Sequence, residues 1–290
     1  MCGIVGYVGP REAQDIVLEG LRRLEYRGYD SAGLAVADDG AVERRRSVGK
    51  LENLAAVLRE RPMRGCLGIG HTRWATHGGV TEANAHPHTD ASGRIVIIQN
   101  GIVENYLELK ADLLAKGVEF VSQTDTEVIA HLVARHYYNG AGDLATAVRQ
   151  ALGQLEGASA VVAMSLDEPG TLVAARLGNA GGVVLGVGEG EMFVASDMPA
   201  ILEHTRRVIF LDNRELAVVH ADGARVMDLA GEPVDKDVTT VSWNPVTVAK
   251  DGYRHFMLKE IHEQSRSITD VIRGRVDFDR ANVLLPDLEG

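Results

Sequence analysis

The sequence predicts an α+β protein built on antiparallel sheets, and three observations carry that reading. Short β-type apolar runs recur from Ile4–Val8 to Leu216–Val219. Several consecutive runs are joined by only a few residues, as at Gly188-Glu189-Gly190, and such short joins are hairpin signals. Helical stretches lie in the middle of the chain with strands clustered on either side, which favours α+β layers over a strictly alternating parallel sheet.

Taken in order, Ile4–Val8 is the first predicted strand. Arg11 to Glu25 then carries Ala13, Ile16, Val17, Leu21 and Leu24 along one helical face. Strands are predicted at Gly33–Ala37, Leu67–Gly70 and Ile95–Ile98, and a second helix within Glu104–Lys116. Thr124-Asp125-Thr126-Glu127 reads as a capping box that starts a third helix, with Val128, Ile129, Leu132 and Val133 at helical spacing. A fourth helix follows Asp143, with Leu144, Ala147, Val148, Ala151, Leu152 and Leu155 on its apolar side. The remaining predicted strands are Ala160–Ser165, Thr171–Ala175, Val183–Val187, Met192–Ala195, Val208–Leu211 and Leu216–Val219. Ser242-Trp243-Asn244-Pro245 reads as an extended connector. Tyr253–Arg273 reads as a helix with Phe256, Ile261, Ile268 and Ile272 as its apolar points. Residues 1–240 are therefore expected to form one domain. Residues 241–290, too few for an independent domain, read as a linker and the start of a further one.

Composition narrows the function. The chain has 290 residues, 45% of them apolar and 24% charged, with a net charge of −11, which is ordinary globular composition. The acidic balance argues against nucleic acid or an anionic membrane as partner. No apolar run approaches the roughly 18 residues of a spanning helix, and the N-terminus has no basic stretch ahead of an apolar one. Two cysteines, Cys2 and Cys66, form no disulfide framework and point to the reducing cytosol. Arg44-Arg45-Arg46 reads as a solvated face or strand edge, with an anion contact as the alternative. Walker A, dinucleotide-binding, nucleophile-elbow and metalloprotease signatures are all missing.

What remains is a cysteine at position 2. Removal of Met1 would expose it as the first residue, so that a thiol and an α-amine share one residue. An α-amine has a pKa of roughly 7.7–8.0. It can take the thiol proton directly or through one water and return a proton to a leaving amine, with no separate histidine. Cys66, beside a β-run, is expected to be a small buried residue.

The residues around Cys2 carry a resemblance. C-G-I-V-G-Y at the N-terminus, E-Y-R-G-Y-D-S-A-G from Glu25, H-T-R-W-A-T-H-G from His71, N-A-H-P-H from Asn84 and N-G-I-V-E-N from Asn100 resemble the glutaminase domain of class II glutamine amidotransferases. Y-R-H-F-M-L-K-E-I-H-E-Q, Tyr253 to Gln264, resembles the entry to the sugar-phosphate isomerase half of the branch that aminates fructose 6-phosphate. The resemblance implies an N-terminal-nucleophile hydrolase fold, a four-layer αββα sandwich of two antiparallel sheets between helices. It also implies a cytoplasmic enzyme with L-glutamine as substrate, needing no cofactor and no metal, whose full-length form is a homodimer carrying an isomerase domain. A chain without that domain is expected to release ammonia from glutamine without making an amino sugar.

By the same resemblance Cys2 is the nucleophile, and Asn100 with the Gly101 N–H forms the oxyanion hole. Arg73, helped by Thr76 and His77, takes the substrate carboxylate. Asp125 takes its ammonium, although capping logic also offers Asp125 a helix N-terminus. Trp74 gates an ammonia channel, and Arg27 and Tyr29 belong to a loop that closes over glutamine. The physical demands agree: an oxyanion needs two aimed donors, and a carboxylate suits a two-pronged guanidinium. Gln99 stands where the family often has His, and Ser265 where it usually has Pro. Three other readings stay open: another class II amidotransferase, a non-catalytic glutamine-binding module, and a metal-dependent hydrolase using His71, His77, His86 and His88 with Cys2 as a fifth ligand, although their separations do not match usual zinc patterns.

Overall fold

The computed structural model describes residues 2–38, 40–242, 253, 256–272, 276–277 and 282–283. They fall into two compact units, Met1–Ser242 and Trp243–Gly290. In the first, the elements in chain order are β1 (Gly3–Val8), α1 (Ala13–Leu24), β2 (Ser31–Asp38), β3 (Ala41–Val48), α2 (Leu51–Glu60), β4 (Leu67–Arg73), β5 (His88–Thr89) and β6 (Ile95–Gly101). There follow α3 (Tyr106–Ala115), α4 (Thr126–His136), α5 (Leu144–Leu152), β7 (Ser159–Ser165), β8 (Leu172–Leu177), β9 (Val184–Val187) and β10 (Met192–Ala195). The unit closes with β11 (Arg207–Phe210), β12 (Glu215–His220), β13 (Gly223–Asp228) and β14 (Thr239–Thr240). The second unit holds α6 (Phe256–Ile272) and a two-stranded pair, β15 (Val276–Asp277) with β16 (Asn282–Val283). The predicted connector at Trp243-Asn244-Pro245 lies outside the described residues.

The strands of the first unit form two sheets, one ordered β14-β11-β9-β10-β1-β4-β2-β3 and the other β13-β12-β8-β7-β6-β5. Every pairing in both is antiparallel. Strand periodicity explains how they stack. Along β6, Val96 and Ile98 point into a core shared with Ile4 and Ile69 of the larger sheet, whereas Ile95 and Ile97 pack against Val128, Ile129, Leu132, Leu144 and Val148 of α4 and α5. A strand apolar on both faces must be covered on both, and the result is helix, sheet, sheet, helix. The outer face of the larger sheet is covered by α1. A side chain at Gly70 of β4 would stand 2.5 Å from Val17 and 2.9 Å from Leu21, so glycine there lets the helix seat directly on the strand.

The predicted helices and strands are present, but the strands β3, β5, β13, β14, β15 and β16 and one helix have no counterpart among the predictions. The helix α2 was not predicted, although Leu51, Leu54, Ala55 and Leu58 are buried at helical spacing. The strand β3 is the edge strand that contains Arg44-Arg45-Arg46. Its arginines are not simply solvated: Arg44 donates to Pro87 O (3.0 Å), and Arg46 to Ala83 O (3.1 Å) and Ala85 O (3.0 Å). Cys66, expected to be buried, is exposed. The capping box at Thr124 does not form. Asp125 is the N-cap residue but makes no side-chain capping bond, and Glu127 turns back to accept from Val121 N (2.8 Å), Ser122 N (2.7 Å) and Ser122 Oγ (2.6 Å). The loop ahead of α4 offered Glu127 three donors against the single N–H of a capping box.

Candidate active site

The ends of three strands meet at one end of the sandwich. Cys2 precedes β1, Arg73 ends β4, and Asn100 and Gly101 end β6. The register Gly3↔Thr72 places Cys2 beside the Arg73–Trp74 segment. Trp74 N–H donates to Cys2 Sγ at 3.1 Å, and Asn100 Nδ2 donates to the Cys2 carbonyl at 3.0 Å. Between these strands and the start of α4 lies a cavity of about 280 Å³. It is lined by Cys2, Arg73, Trp74, Thr76, Asn100, Gly101 and Asp125 among the residues singled out in the sequence. Such a volume lies just below the roughly 300–1,000 Å³ of pockets for drug-sized ligands and leaves room for an amino acid.

The other three singled-out residues do not line it. His77 packs its ring on Tyr106 (centroids 4.8 Å apart) and contributes its carbonyl oxygen as a partner of Arg73. Tyr29 stands edge-on to Trp74 at 5.7 Å, both rings about half exposed at the rim. Arg27 donates to Asp197 Oδ2 (2.9 Å) and Ser196 O (3.3 Å). The cavity also takes in His71, His86, Gln99, Ile102, Thr124, Thr126, Asn179 and Ala180, none of which the sequence reading assigned to the glutamine site. Asn179 and Ala180 belong to none of the quoted motifs, and their place at the cavity appears only in the folded chain.

Burial sets the electrostatics. It pushes the Cys2 thiol above its usual range, against the opposing pull of the Trp74 N–H and the nearby Arg73 and Arg27 charges. It likewise raises the Asp125 carboxyl, which accepts from Val103 N at 2.8 Å. Arg73 is 3% exposed, and its guanidinium is aimed by three backbone oxygens: Gly79 O (3.2 Å), Gly78 O (3.3 Å) and His77 O. One cavity therefore presents a thiol, a carboxamide, a cation and a carboxylate. A ligand with both an α-carboxylate and an α-ammonium has a partner for each end.

At the cavity wall His71 and His86 pack together, with the buried His88 beyond them. His71 lies on His86 at 4.1 Å, and His86 meets His88 edge-on at 4.8 Å. Among the described residues no group of His, Cys, Asp and Glu is arranged to hold a metal ion. Burial pushes His71 and His88 down to about 3, and His86 well below its usual value, so all three are neutral in the fold. An unfolded histidine titrates near 6.5. Below that pH the unfolded chain takes up protons that the folded chain refuses, so stability falls as pH drops, by about 1.4 kcal/mol per pH unit for each such histidine. Glu127, held at about 2 by hydrogen bonds that outweigh its burial, adds to the loss below about 4.5. Thermal melts should therefore show a steep fall in Tm between pH 6.5 and 4.5. A flat profile would contradict the neutral stack.

The comparisons with known proteins point the same way. Residues 71–203 match the family described as the glutamine amidotransferase domain. The chain carries a glutamine amidotransferase domain. It is 46% identical over 295 residues to a glutamine–fructose-6-phosphate aminotransferase (isomerizing) of Caldanaerobacter subterraneus, covering 100% of this chain and 48% of that protein. It is 50% identical over 278 residues to the enzyme of the same name from Streptomyces coelicolor, covering 96% and 45%. The chain thus spans about half the length of these relatives. Among solved structures, the glutamine phosphoribosylpyrophosphate amidotransferase of B. subtilis superposes with a TM-score of 0.68 at 25% identity, over 79% of this chain and 49% of that one. The fold of this amidotransferase domain is that of the N-terminal-nucleophile hydrolases, two antiparallel sheets between helices. Among the described residues no helix is long and apolar enough to cross a membrane.

Proposed function

We propose that this chain hydrolyses the side-chain amide of L-glutamine through a glutamyl thioester on Cys2. The observation that supports this most directly is the single cavity shared by Cys2 Sγ, Asn100, Gly101, Arg73 and Asp125. In this reading Arg73, with Thr76 and the His77 segment, holds the substrate carboxylate and Asp125 holds the ammonium. The amide carbon is then fixed over the sulfur, and orientation of this kind removes much of the barrier. Once Met1 is removed, the α-amine of Cys2 accepts the thiol proton as sulfur attacks. The negative charge that develops on oxygen is met by Asn100 Nδ2 and the Gly101 N–H. The C–N bond breaks as the amine returns the proton to nitrogen, and ammonia leaves. Water then adds to the thioester, and glutamate departs as the thiol is reformed.

The destination of the ammonia is proposed from the relatives. Their printed names describe an isomerizing transfer to fructose 6-phosphate, so the full-length homologue of this chain would pass ammonia from this pocket to an isomerase domain reached through residues 241–290, in a cytoplasmic homodimer. Trp74 would gate the passage, and Arg27 and Tyr29 would belong to the loop that closes over glutamine.

The test is direct. The processed chain, its intact mass lower by one methionine, should release equimolar glutamate and ammonia from glutamine. An electrophilic glutamine analogue should add covalently to Cys2. Absence of glutamate, or modification at Cys66 alone, would sink the reading.

A further inference from the structure

The histidine stack touches the reaction machinery at one point. Asn100 Nδ2 faces the Cys2 carbonyl at 3.0 Å, and a carbonyl oxygen can only accept. The other end of the carboxamide, Oδ1, therefore faces His71 Nε2, also at 3.0 Å, and here the ring must donate. His71 is 1% exposed, and its far face is covered by the His86 ring. Neutral in this setting, it carries its one hydrogen on Nε2, and its Nδ1 has no hydrogen-bond partner.

We infer that His71 is a positioning residue that locks the carboxamide of Asn100 with its N–H side toward the reacting amide. The lock matters because a carboxamide has two faces of opposite sign. Turned by half a rotation, Asn100 would present oxygen to the oxyanion and to the Cys2 carbonyl at once. With His71 donating to Oδ1, one Nδ2 hydrogen goes to Cys2 O and the other is left for the charge that forms in the transition state. The donor is aimed before the reaction starts, which is the condition under which such donors are most effective. The same bond engages Nε2 of His71 as a donor, so that nitrogen takes no proton from Cys2.

This inference rests on the glutaminase reading, and the experiment separates the two. Steady-state glutaminase kinetics would be compared for the wild type, His71→Leu, His71→Gln, Asn100→Ala and the double variant His71→Leu/Asn100→Ala. His71→Leu should lower kcat by about 10- to 100-fold while leaving KM for glutamine within about threefold, because the donor acts mainly in the transition state. His71→Gln, whose amide supplies a donor near the same place, should recover most of the loss. In the Asn100→Ala background the leucine substitution should cost about twofold or less, since the group it positions is gone. The acid limb of the pH–rate profile should stay in place throughout. Full additivity in the double variant, or glutamine as harmful as leucine, would overturn the proposal in favour of a packing role. If His71→Leu does not fold, His71→Asn, too short to bring its donor to Oδ1, takes its place with the same expectations. A wild type that releases no glutamate would instead overturn the reading beneath it.

Discussion

Cys2→Ala should abolish glutamate release, a fall of about 10⁴-fold or more, while Cys66→Ala retains activity within about twofold. The asymmetry follows from position. Cys2 Sγ lies in the cavity, with the Trp74 N–H 3.1 Å away and Asn100 bound to the backbone of the same residue. Cys66 is exposed, ahead of β4 and outside the cavity lining. Because burial raises the Cys2 thiol, the group rests protonated at neutral pH and depends on a base at the moment of attack. Cys2→Ser should therefore fail nearly as badly, since a hydroxyl is harder still to deprotonate. Glutamate release, read beside the melting temperature, checks both variants. Equal losses at Cys2 and Cys66 would remove the thiol from the mechanism.

Gly101→Ala is expected to be nearly as severe. Gly101 ends β6 with φ at +116°, and a Cβ there would lie 2.0 Å from Ala158 O and 2.9 Å from Ala180 Cβ. The first clash is with backbone, so it cannot be relieved by turning a side chain. The end of the β6–β7 ladder, where Gly101 faces Ser159 and Ile102 N donates to Ala158 O at 3.1 Å, would have to open. Opening it displaces the Gly101 N–H, one of the two proposed oxyanion donors, and losing one such donor typically costs about 10²–10³ in kcat. Stability should fall as well, by about 2–4 kcal/mol from strain and overpacking together. Gly117→Ala is the control: φ is +83° but nothing lies within 4 Å. It should lose about 1 kcal/mol, with activity intact. Denaturant melts and glutaminase assays on the two variants decide the point, and a fully active Gly101→Ala would remove that N–H from the mechanism.

How legible the site was depended on the kind of residue. Cys2 is informative by its place in the chain, because a thiol beside an α-amine is a chemical unit in itself. Asn100, Gly101, Arg73 and Asp125 were singled out through motifs, and the cavity gathers all four. His77 was expected to help with the carboxylate, yet its ring rests on Tyr106 and only its backbone reaches Arg73. A motif names a residue without saying whether side chain or carbonyl is used. The basic run at Arg44–Arg46 was equally ambiguous. Its role as a clamp on the carbonyls of residues 83–87 arises only when β3 is laid beside that loop.

The sequence by itself determined most of the helices and strands, with α2, β3, β5, β13, β14, β15 and β16 excepted, and the antiparallel hairpins, because side-chain period and loop length are local properties that neighbours in the chain impose on one another. Only the tertiary structure decided that Glu127 would brace a loop instead of capping a helix, that Cys66 would face solvent, and that His71, His86 and His88 would stack behind Asn100. Those outcomes depend on which donors, acceptors and rings arrive from distant strands. Once water is excluded, each buried polar group takes the partner that the packing brings within reach.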